Sequence, residues 1–188
     1  MKSFLILVCF LFSGGLWAQK FIGLDKSPMD VSYYPHNYSH DRKFAPQLIG
    51  SDPAMIKIIY SRPSKNGRDV FGKLVPYGKV WRVGANEETE IKFYRDVMID
   101  GKSIKAGTYA LFAIPEEKEW TIILNSDLDQ WGAYSYDEKK DILRFKATVS
   151  KPEAVIENFS IVMEKADSKN LKLFMGWDNV VVSVPISY

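Results

Sequence analysis

Apolar and polar residues alternate along most of the chain from Ala54 to its end. In 143–149 the odd positions are apolar and the even positions are polar or charged, and in 180–186 the even positions are apolar. Successive side chains of a β-strand point to opposite faces of the sheet, so this period places one face in a core and the other in water. No long stretch has the spacing of an amphipathic helix. The pattern therefore predicts an all-β fold.

Turn residues divide this pattern into short strands. Asp100-Gly101 separates 97–99 from 102–104, and Asp-Gly tolerates the positive φ angles of a two-residue hairpin turn. Runs 108–114 and 120–124 predict a second hairpin. Further strands are predicted at 55–60, 80–83, 90–94, 143–149 and 159–163, and as a pair at 171–177 and 180–186 around Asp178-Asn179. About nine or ten short antiparallel strands indicate a β-sandwich or a jelly roll.

Residues 1–18 have the pattern of a secretory signal peptide. Lys2 supplies a positive charge, 4–12 is an unbroken apolar core, and Ala18 precedes a cleavage site before Gln19. The apolar run is too short for a membrane anchor, which needs about 20 residues. A lipoprotein would need lipid on Cys9, which lies inside the apolar core. We therefore predict an exported chain, periplasmic or secreted, with no membrane span after cleavage.

Cleavage would change the charge and the cysteine content. Loss of Lys2 lowers the net charge from +2 to +1, and loss of Cys9 removes the only cysteine. The mature chain would then have no disulfide, no thiolate metal ligand and no cysteine nucleophile. Its near-neutral charge argues against general nucleic-acid binding, which uses a basic face. At 188 residues, the chain is long enough for one domain with a core of its own.

Residues 19–53 are predicted to form an irregular arm packed on a β-domain at 54–188. Prolines at 28, 35, 46 and 53 prevent a long helix or a central strand, while the tyrosines of this segment are too apolar for a free linker. His36 and His40 have the i, i+4 spacing of a metal pair on a helix. Pro35 and Asn37 disfavour a helix there, and no third ligand is evident. We predict exposed loop histidines and no metal site.

The stretch 60–89 carries a local positive charge. Six basic residues and one acid lie in 61–82, although the rest of the chain is balanced. Arginine can make planar two-point contacts with a carboxylate or a phosphate. Trp81 offers a flat apolar surface, and Gly84 lets a ligand approach the backbone closely. This stretch predicts a small-ligand site made of Arg62, Arg68, Trp81, Arg82 and Asn86.

The same residues also fit a structural role. Glu87 and Glu88 are close enough in sequence to pair with Arg82 or Arg68, and Trp81 could fill the core. Such pairs would join loops without binding anything. Both interpretations stay open at the level of the sequence.

Catalytic signatures are mostly absent. There is no Gly-x-Ser-x-Gly, no His-Glu-x-x-His and no phosphate-binding glycine-rich loop. A glycosidase would need paired carboxylates, and the candidates are Glu87 or Glu88 with Asp127, Asp129 or Asp137. Asp127 and Asp129 begin like a calcium loop, but Trp131 occupies the third ligand position. We predict no catalytic residue and no cofactor.

Several specific motifs occur together: Arg-Pro at 62–63, Trp-Arg-x-Gly-Ala-Asn at 81–86, AGTYALFAIP at 106–115, EWTIILN at 119–125 and DQWGAYSYDEKKD at 129–141. From about Leu24 onwards the chain resembles domain of unknown function 2911, a family of small exported bacterial proteins without an established activity. The resemblance implies one exported all-β domain and carries over no catalytic residue. It also implies that Trp131 and Tyr134 join the five residues of the predicted site, as part of its wall.

The predicted function is binding of a small anionic or glycan-like ligand without catalysis. One alternative is a hydrolase that acts on carbohydrate through paired carboxylates. Another is a structural interaction module, which adds a partner's strand to an exposed sheet edge. The sequence does not specify the ligand or the oligomeric state.

Overall fold

The computed structural model describes residues 21–50 and 54–188. The predicted signal peptide, 1–18, lies outside these residues. Strand accounts for 49% and helix for 8%, which confirms the all-β prediction. The described strands are β1 Met29–Tyr34, β2 Ile56–Ser61, β3 Thr89–Phe93, β4 Val97–Ile99, β5 Lys102–Ile104, β6 Gly107–Ile114, β7 Glu119–Asn125, β8 Asp141–Ser150, β9 Ile156–Lys165, β10 Asn170–Asp178 and β11 Val180–Ser187.

The strands follow one antiparallel path, in the order β1-β2-β3-β6-β7-β8-β11-β10-β9, and β4 joins the small β4–β5 hairpin to β11. Strands β8 and β11 pair over only two residues, Ser150 with Val181 and Val149 with Val182. The sheet curves until it is nearly closed into a barrel. The prediction of an antiparallel all-β fold is therefore confirmed, whereas the predicted sandwich or jelly roll is not.

The turn dipeptides mark real hairpins. Val97 pairs with Ile104 across a turn in which Asp100 and Gly101 have φ angles of 49° and 71°. The predicted hairpins β6–β7 and β10–β11 are also present. The predicted strand at 80–83 is wrong, because only Trp81 forms an isolated bridge there.

The segment before residue 54 contains regular structure. Strand β1 pairs with β2 along its whole length, so 29–34 belongs to the sheet. Helix α1, Tyr38–Phe44, begins after Asn37, which has a φ of 56°. The helix includes His40 but not His36, so the two do not share a helical face. No cluster of three or more metal-binding side chains occurs in the described residues.

The core contains a cluster of aromatic side chains. Trp81 stacks on Trp177, with ring centroids 6.2 Å apart and an interplanar angle of 18°. Three further rings pack edge-on or tilted against this pair: Phe71, Trp120 and Phe159. Large aromatic side chains bury much apolar surface, so this cluster holds neighbouring loops to the barrel.

We call the junction between β1 and β9 the seam. These two strands share no backbone ladder in the part of the chain that the structure describes. Instead, side chains near the end of β2 contact the edge of β9. The Tyr60 hydroxyl accepts a hydrogen bond from the amide of Ile161 (3.1 Å), and Arg62 Nε donates to the carbonyl of Phe159 (3.1 Å). Side chains thus satisfy backbone groups that a neighbouring strand would otherwise pair.

Across 21–50 and 54–188, none of the helices combines the length and the apolar character that crossing a membrane requires.

Candidate functional site

Beyond β2 the chain follows the start of β9 and then turns. The amide of Lys65 donates to the carbonyl of Glu157 (2.7 Å), and the amide of Arg68 donates to the carbonyl of Lys65 (3.1 Å). Asn66 and Gly67 both have positive φ angles in this turn, 50° and 69°, a conformation that glycine adopts without steric cost. Lys65 Nζ lies 3.3 Å from the carboxylate of Asp178, so that cation is paired inside the protein. Arg68 is left at the surface.

Arg62 belongs to the seam. Besides the bond to Phe159, its Nη1 donates to the carboxylate of Asp30 (2.9 Å) and its Nη2 to the hydroxyl of Ser160 (2.8 Å). All three nitrogens of the guanidinium are therefore engaged by the fold. Arg62 does not join the other arginines of the predicted site.

Trp81 is buried and forms a wall of a cavity. Its amide donates to the carbonyl of Ala113 (2.7 Å), which fixes the backbone against β6. Its indole Nε1 donates to the carbonyl of Gly84 (3.1 Å). This bond holds the loop after Trp81 close to the indole ring. Trp81 thus fills the core, as the structural interpretation expects, and also faces a solvent-connected space.

That space, which we call the arginine cavity, has a volume of about 220 Å³. It lies between the 65–68 turn, the loop at 82–85 and the aromatic cluster. Its lining residues are Ser27, Pro63, Arg68, Leu74, Val75, Trp81, Arg82, Gly84, Ala85 and Trp177. The volume is below the 300–1,000 Å³ of pockets for drug-sized ligands, so it suits a single small group.

The guanidinium of Arg82 lies in the cavity wall, and residues 21–50 and 54–188 supply no counterion for it. Its side chain is partly buried, and its Nε is fully buried with no hydrogen-bond partner among the described residues. Burial lowers the pKa of Arg82, and the nearby Tyr134 acts in the opposite direction. Arginine nonetheless stays charged in proteins. The expected pairing with Glu87 or Glu88 is not found in the described residues.

Arg68 adds a second charge that no carboxylate neutralises within the described residues. Its Nε donates to the carbonyl of Lys65 (2.9 Å) and its Nη2 to the carbonyl of Ser64 (2.5 Å). These bonds orient the guanidinium and leave Nη1 available. Two arginines at one small cavity create a local positive potential that favours an anion.

Asn86 lies beside the cavity and contacts the N-terminal segment. Its Nδ2 donates to Asp25 Oδ1 (3.0 Å), which also accepts the amide of Ser27 (2.6 Å). These two bonds lower the pKa of Asp25. Ser27 in turn lines the cavity. Asn86 therefore fixes the segment that forms one edge of the opening.

Trp131 and Tyr134, which we call the exposed aromatic pair, lie in the loop whose Gly132 comes close to Arg82. Their exposed fractions are 61% and 84%. Between them, Gly132 has a φ of 69°, and a Cβ at that position would lie 3.2 Å from Arg82 Nη1 and 3.3 Å from the Tyr134 ring. Gly132 therefore lies close to both the guanidinium and the Tyr134 ring.

The structure gathers the predicted residues in two groups. Arg68, Trp81 and Arg82 line the cavity, whereas Asn86, Trp131 and Tyr134 lie on the adjoining surface. Arg62 is separate. Sequence reasoning missed Ser27, Gly132 and Trp177. Of these, only Gly132 could have been noticed in the sequence, because it lies between two aromatic residues of the predicted site. Ser27 and Trp177 reach the cavity from distant segments of the chain.

Three of the five acids considered for a hydrolase make contacts within the fold. Glu88 is buried and accepts the amide of Gln130 (2.7 Å), and burial raises its pKa. Asp127 pairs with Lys140 (2.7 Å). Asp137 accepts the amide of Lys139 (3.0 Å) at the start of a 3-10 turn, Glu138–Lys140.

Comparison with known proteins supplies the family. No curated protein and no solved structure matches the chain. The sequence model of the family described as "Protein of unknown function (DUF2911)" matches residues 45–186, which include the cavity residues from Pro63 to Trp177. This confirms the resemblance seen in the motifs. The chain belongs to the DUF2911 family.

Proposed function

We propose that this chain is an exported protein that binds a small anionic ligand in the arginine cavity and does not convert it. The observation that carries the proposal is the state of Arg82. A partly buried guanidinium without an acceptor is unfavourable, because desolvation of a charge is repaid only by pairing and hydrogen bonding. A carboxylate or phosphate of a ligand would supply that pairing.

The cavity supports one charged group beside a flat apolar surface. Arg68 and Arg82 offer N–H donors, and the indole rings of Trp81 and Trp177 line the same space. Bidentate contact with arginine suits a planar carboxylate. A carboxylated monosaccharide combines that group with an apolar ring face. Glucuronic acid is therefore a suitable probe for the cavity.

Export is the second part of the proposal. The apolar core at 4–12 and the cleavage site after Ala18 support it. A protein that works in the cell envelope or outside it would encounter free sugar acids and carboxylated glycans. We infer binding rather than catalysis because no acid or histidine among the described residues lines the cavity, so the hydroxyl of Ser27 has no general base beside it there.

Calorimetric titration of the purified exported protein with glucuronic acid tests the proposal, with galactose as the uncharged control. Arg82→Met should weaken binding about 10- to 100-fold, as expected for loss of a charge-assisted hydrogen bond worth about 1.5–3 kcal/mol. Lys79→Met is the matched control. It removes a positive charge from the same stretch at an exposed position that does not line the cavity.

Binding should also weaken as salt is raised, because the attraction is electrostatic. Equal affinity for glucuronic acid and galactose would contradict an anion site. Equal loss of affinity in Arg82→Met and Lys79→Met would mean that general charge, rather than the cavity, attracts the probe. Release of a new product from a glycan substrate would instead support the hydrolase alternative.

A further inference from the structure

The loop between β7 and β8 buries some of its side chains and exposes others. Leu128, Ala133 and Tyr136 pack on the outer face of β6 and β7, against a small cluster that contains Phe112 and Ile123. The Tyr136 hydroxyl donates to Asp141 (2.7 Å) and accepts from Arg144 (2.6 Å), and burial raises the pKa of Tyr136 to about 12. These contacts are sufficient to anchor the loop.

The side chains of the exposed aromatic pair do not belong to that cluster. Trp131 and Tyr134 lie on the same loop, yet most of each ring faces solvent. Leaving large aromatic rings in water forgoes the free energy of burial, so adjacent exposed rings often mark a binding surface. Gly132, which lies between them in sequence, comes close to Arg82 Nη1 and to the Tyr134 ring.

The cavity and the exposed aromatic pair therefore meet at one residue. Arg82 lines the cavity and also lies against Gly132 and Tyr134. A small anion that filled only the cavity would leave the two rings unused. A ligand with a charged end and a continuing apolar face would use both, since the C–H face of a pyranose packs on an aromatic ring.

The charges near the pair indicate that only one end of the ligand is anionic. Glu87 forms an isolated bridge with Trp131 and is itself exposed. The bridge is antiparallel, and side chains of directly opposed residues in such a pair extend to the same face, so the negative charge of Glu87 lies near the Trp131 side chain and disfavours a second anionic group there. It also disfavours single-stranded nucleic acid, which stacks on aromatic rings but carries a phosphate at every nucleotide.

We propose that the ligand is a short oligosaccharide with one acidic terminal sugar. The acidic sugar occupies the arginine cavity, and the next, neutral sugar lies across Gly132 on Trp131 and Tyr134. This inference rests on the proposed function, because it places the anion in the same cavity. It adds a second subsite and fixes the direction in which the oligosaccharide lies on the protein.

Three sugars test the inference by calorimetric titration: glucuronic acid, the neutral cellobiose, and cellobiouronic acid, which joins glucuronic acid to glucose. Cellobiouronic acid should bind about 10-fold more tightly than glucuronic acid, and cellobiose should show no measurable binding. Trp131→Ala should reduce the affinity for cellobiouronic acid to that for glucuronic acid and leave the latter unchanged. Phe44→Ala is the control, since it removes another exposed aromatic ring, on α1.

The outcomes separate the two proposals. Equal affinity for the acidic monosaccharide and disaccharide, with loss of both in Arg82→Met, overturns the second subsite and retains the anion site. No binding of either acid overturns both. Tight binding of a short thymidine oligonucleotide that depends on Trp131 would assign the surface to nucleic acid and overturn the oligosaccharide inference.

Discussion

Replacing Arg62 and Arg82 by methionine, one at a time, should affect stability differently, because only the Arg62 replacement should lower the free energy of unfolding. Both are partly buried arginines of the same stretch, and both substitutions keep an unbranched apolar stem. The difference between them is their partners. Arg62 makes two hydrogen bonds across the seam to β9 and one to Asp30 on β1, whereas Arg82 Nε has no acceptor in the described residues.

The magnitudes follow from those contacts. The bond from Arg62 to Asp30 is partly exposed, with side-chain exposures of 36% and 43%, and such pairs contribute about 0–1 kcal/mol. The bond to Phe159 reaches the backbone of a buried residue, and losing it leaves a carbonyl of β9 unpaired at about 1–3 kcal/mol. We expect Arg62→Met to lower the free energy of unfolding by about 2–3 kcal/mol. Arg82→Met removes an unpaired buried donor. This variant should therefore leave the free energy of unfolding unchanged or raise it by about 1 kcal/mol.

Urea denaturation of the purified protein measures both values, provided that the m-value stays constant between variants. Glucuronic acid titration of the same samples gives binding. The expected result is a stable Arg82→Met protein that has lost affinity and a weakened Arg62→Met protein that retains it. A loss of more than about 2 kcal/mol in Arg82→Met would refute the reasoning, since it would show that Arg82 has a structural partner.

Other expectations concern single residues. Burial raises the pKa of Glu88, so its protonated form favours folding and this contribution is lost as the pH rises above about 4.3, where an unfolded Glu ionises. Glu88→Gln should therefore be more stable than the parent at pH 7 but not at pH 4, and equal urea midpoints at pH 7 would contradict this. Gly132→Ala should lower stability by about 1 kcal/mol because of its positive φ, and should weaken sugar binding by displacing Arg82; unchanged calorimetric titrations would argue against that contact. Mass spectrometry of the exported protein should find Gln19 as its first residue, and a chain that retained 1–18 would overturn the predicted export.

Local signals predicted the hairpins well. The Asp100-Gly101 turn depends on two neighbouring residues, so sequence alone placed it. Closure of the sheet depends on which distant strands meet, and alternation carries no information about that order. The predicted strand at 80–83 failed for a local reason. Val83 has a φ of 56°, which ends the extended conformation although valine favours strands.

The predicted site combined correct residue types with unknown partners. The arginines indicated contacts with an anion, and the tryptophan indicated a flat apolar surface for a ligand. Arg68, Trp81 and Arg82 do line one cavity. The acceptors of Arg62 are Asp30, Phe159 and Ser160, each at least 32 positions away along the chain. No short motif reports such a contact, which explains why Arg62 was grouped with the others.

The seam couples closure of the barrel to the state of the cavity. Pro63 lines the cavity, and its carbonyl accepts the amide of Phe159 (3.0 Å), whose own carbonyl accepts from Arg62. Any widening between β1 and β9 would therefore move one wall of the cavity. Thermodynamic linkage is reciprocal, so an occupant that fits the closed wall must also disfavour opening of the strands by the same free energy. Strand β9 would then exchange its amide protons more slowly when the cavity is filled, although it lies outside the cavity itself.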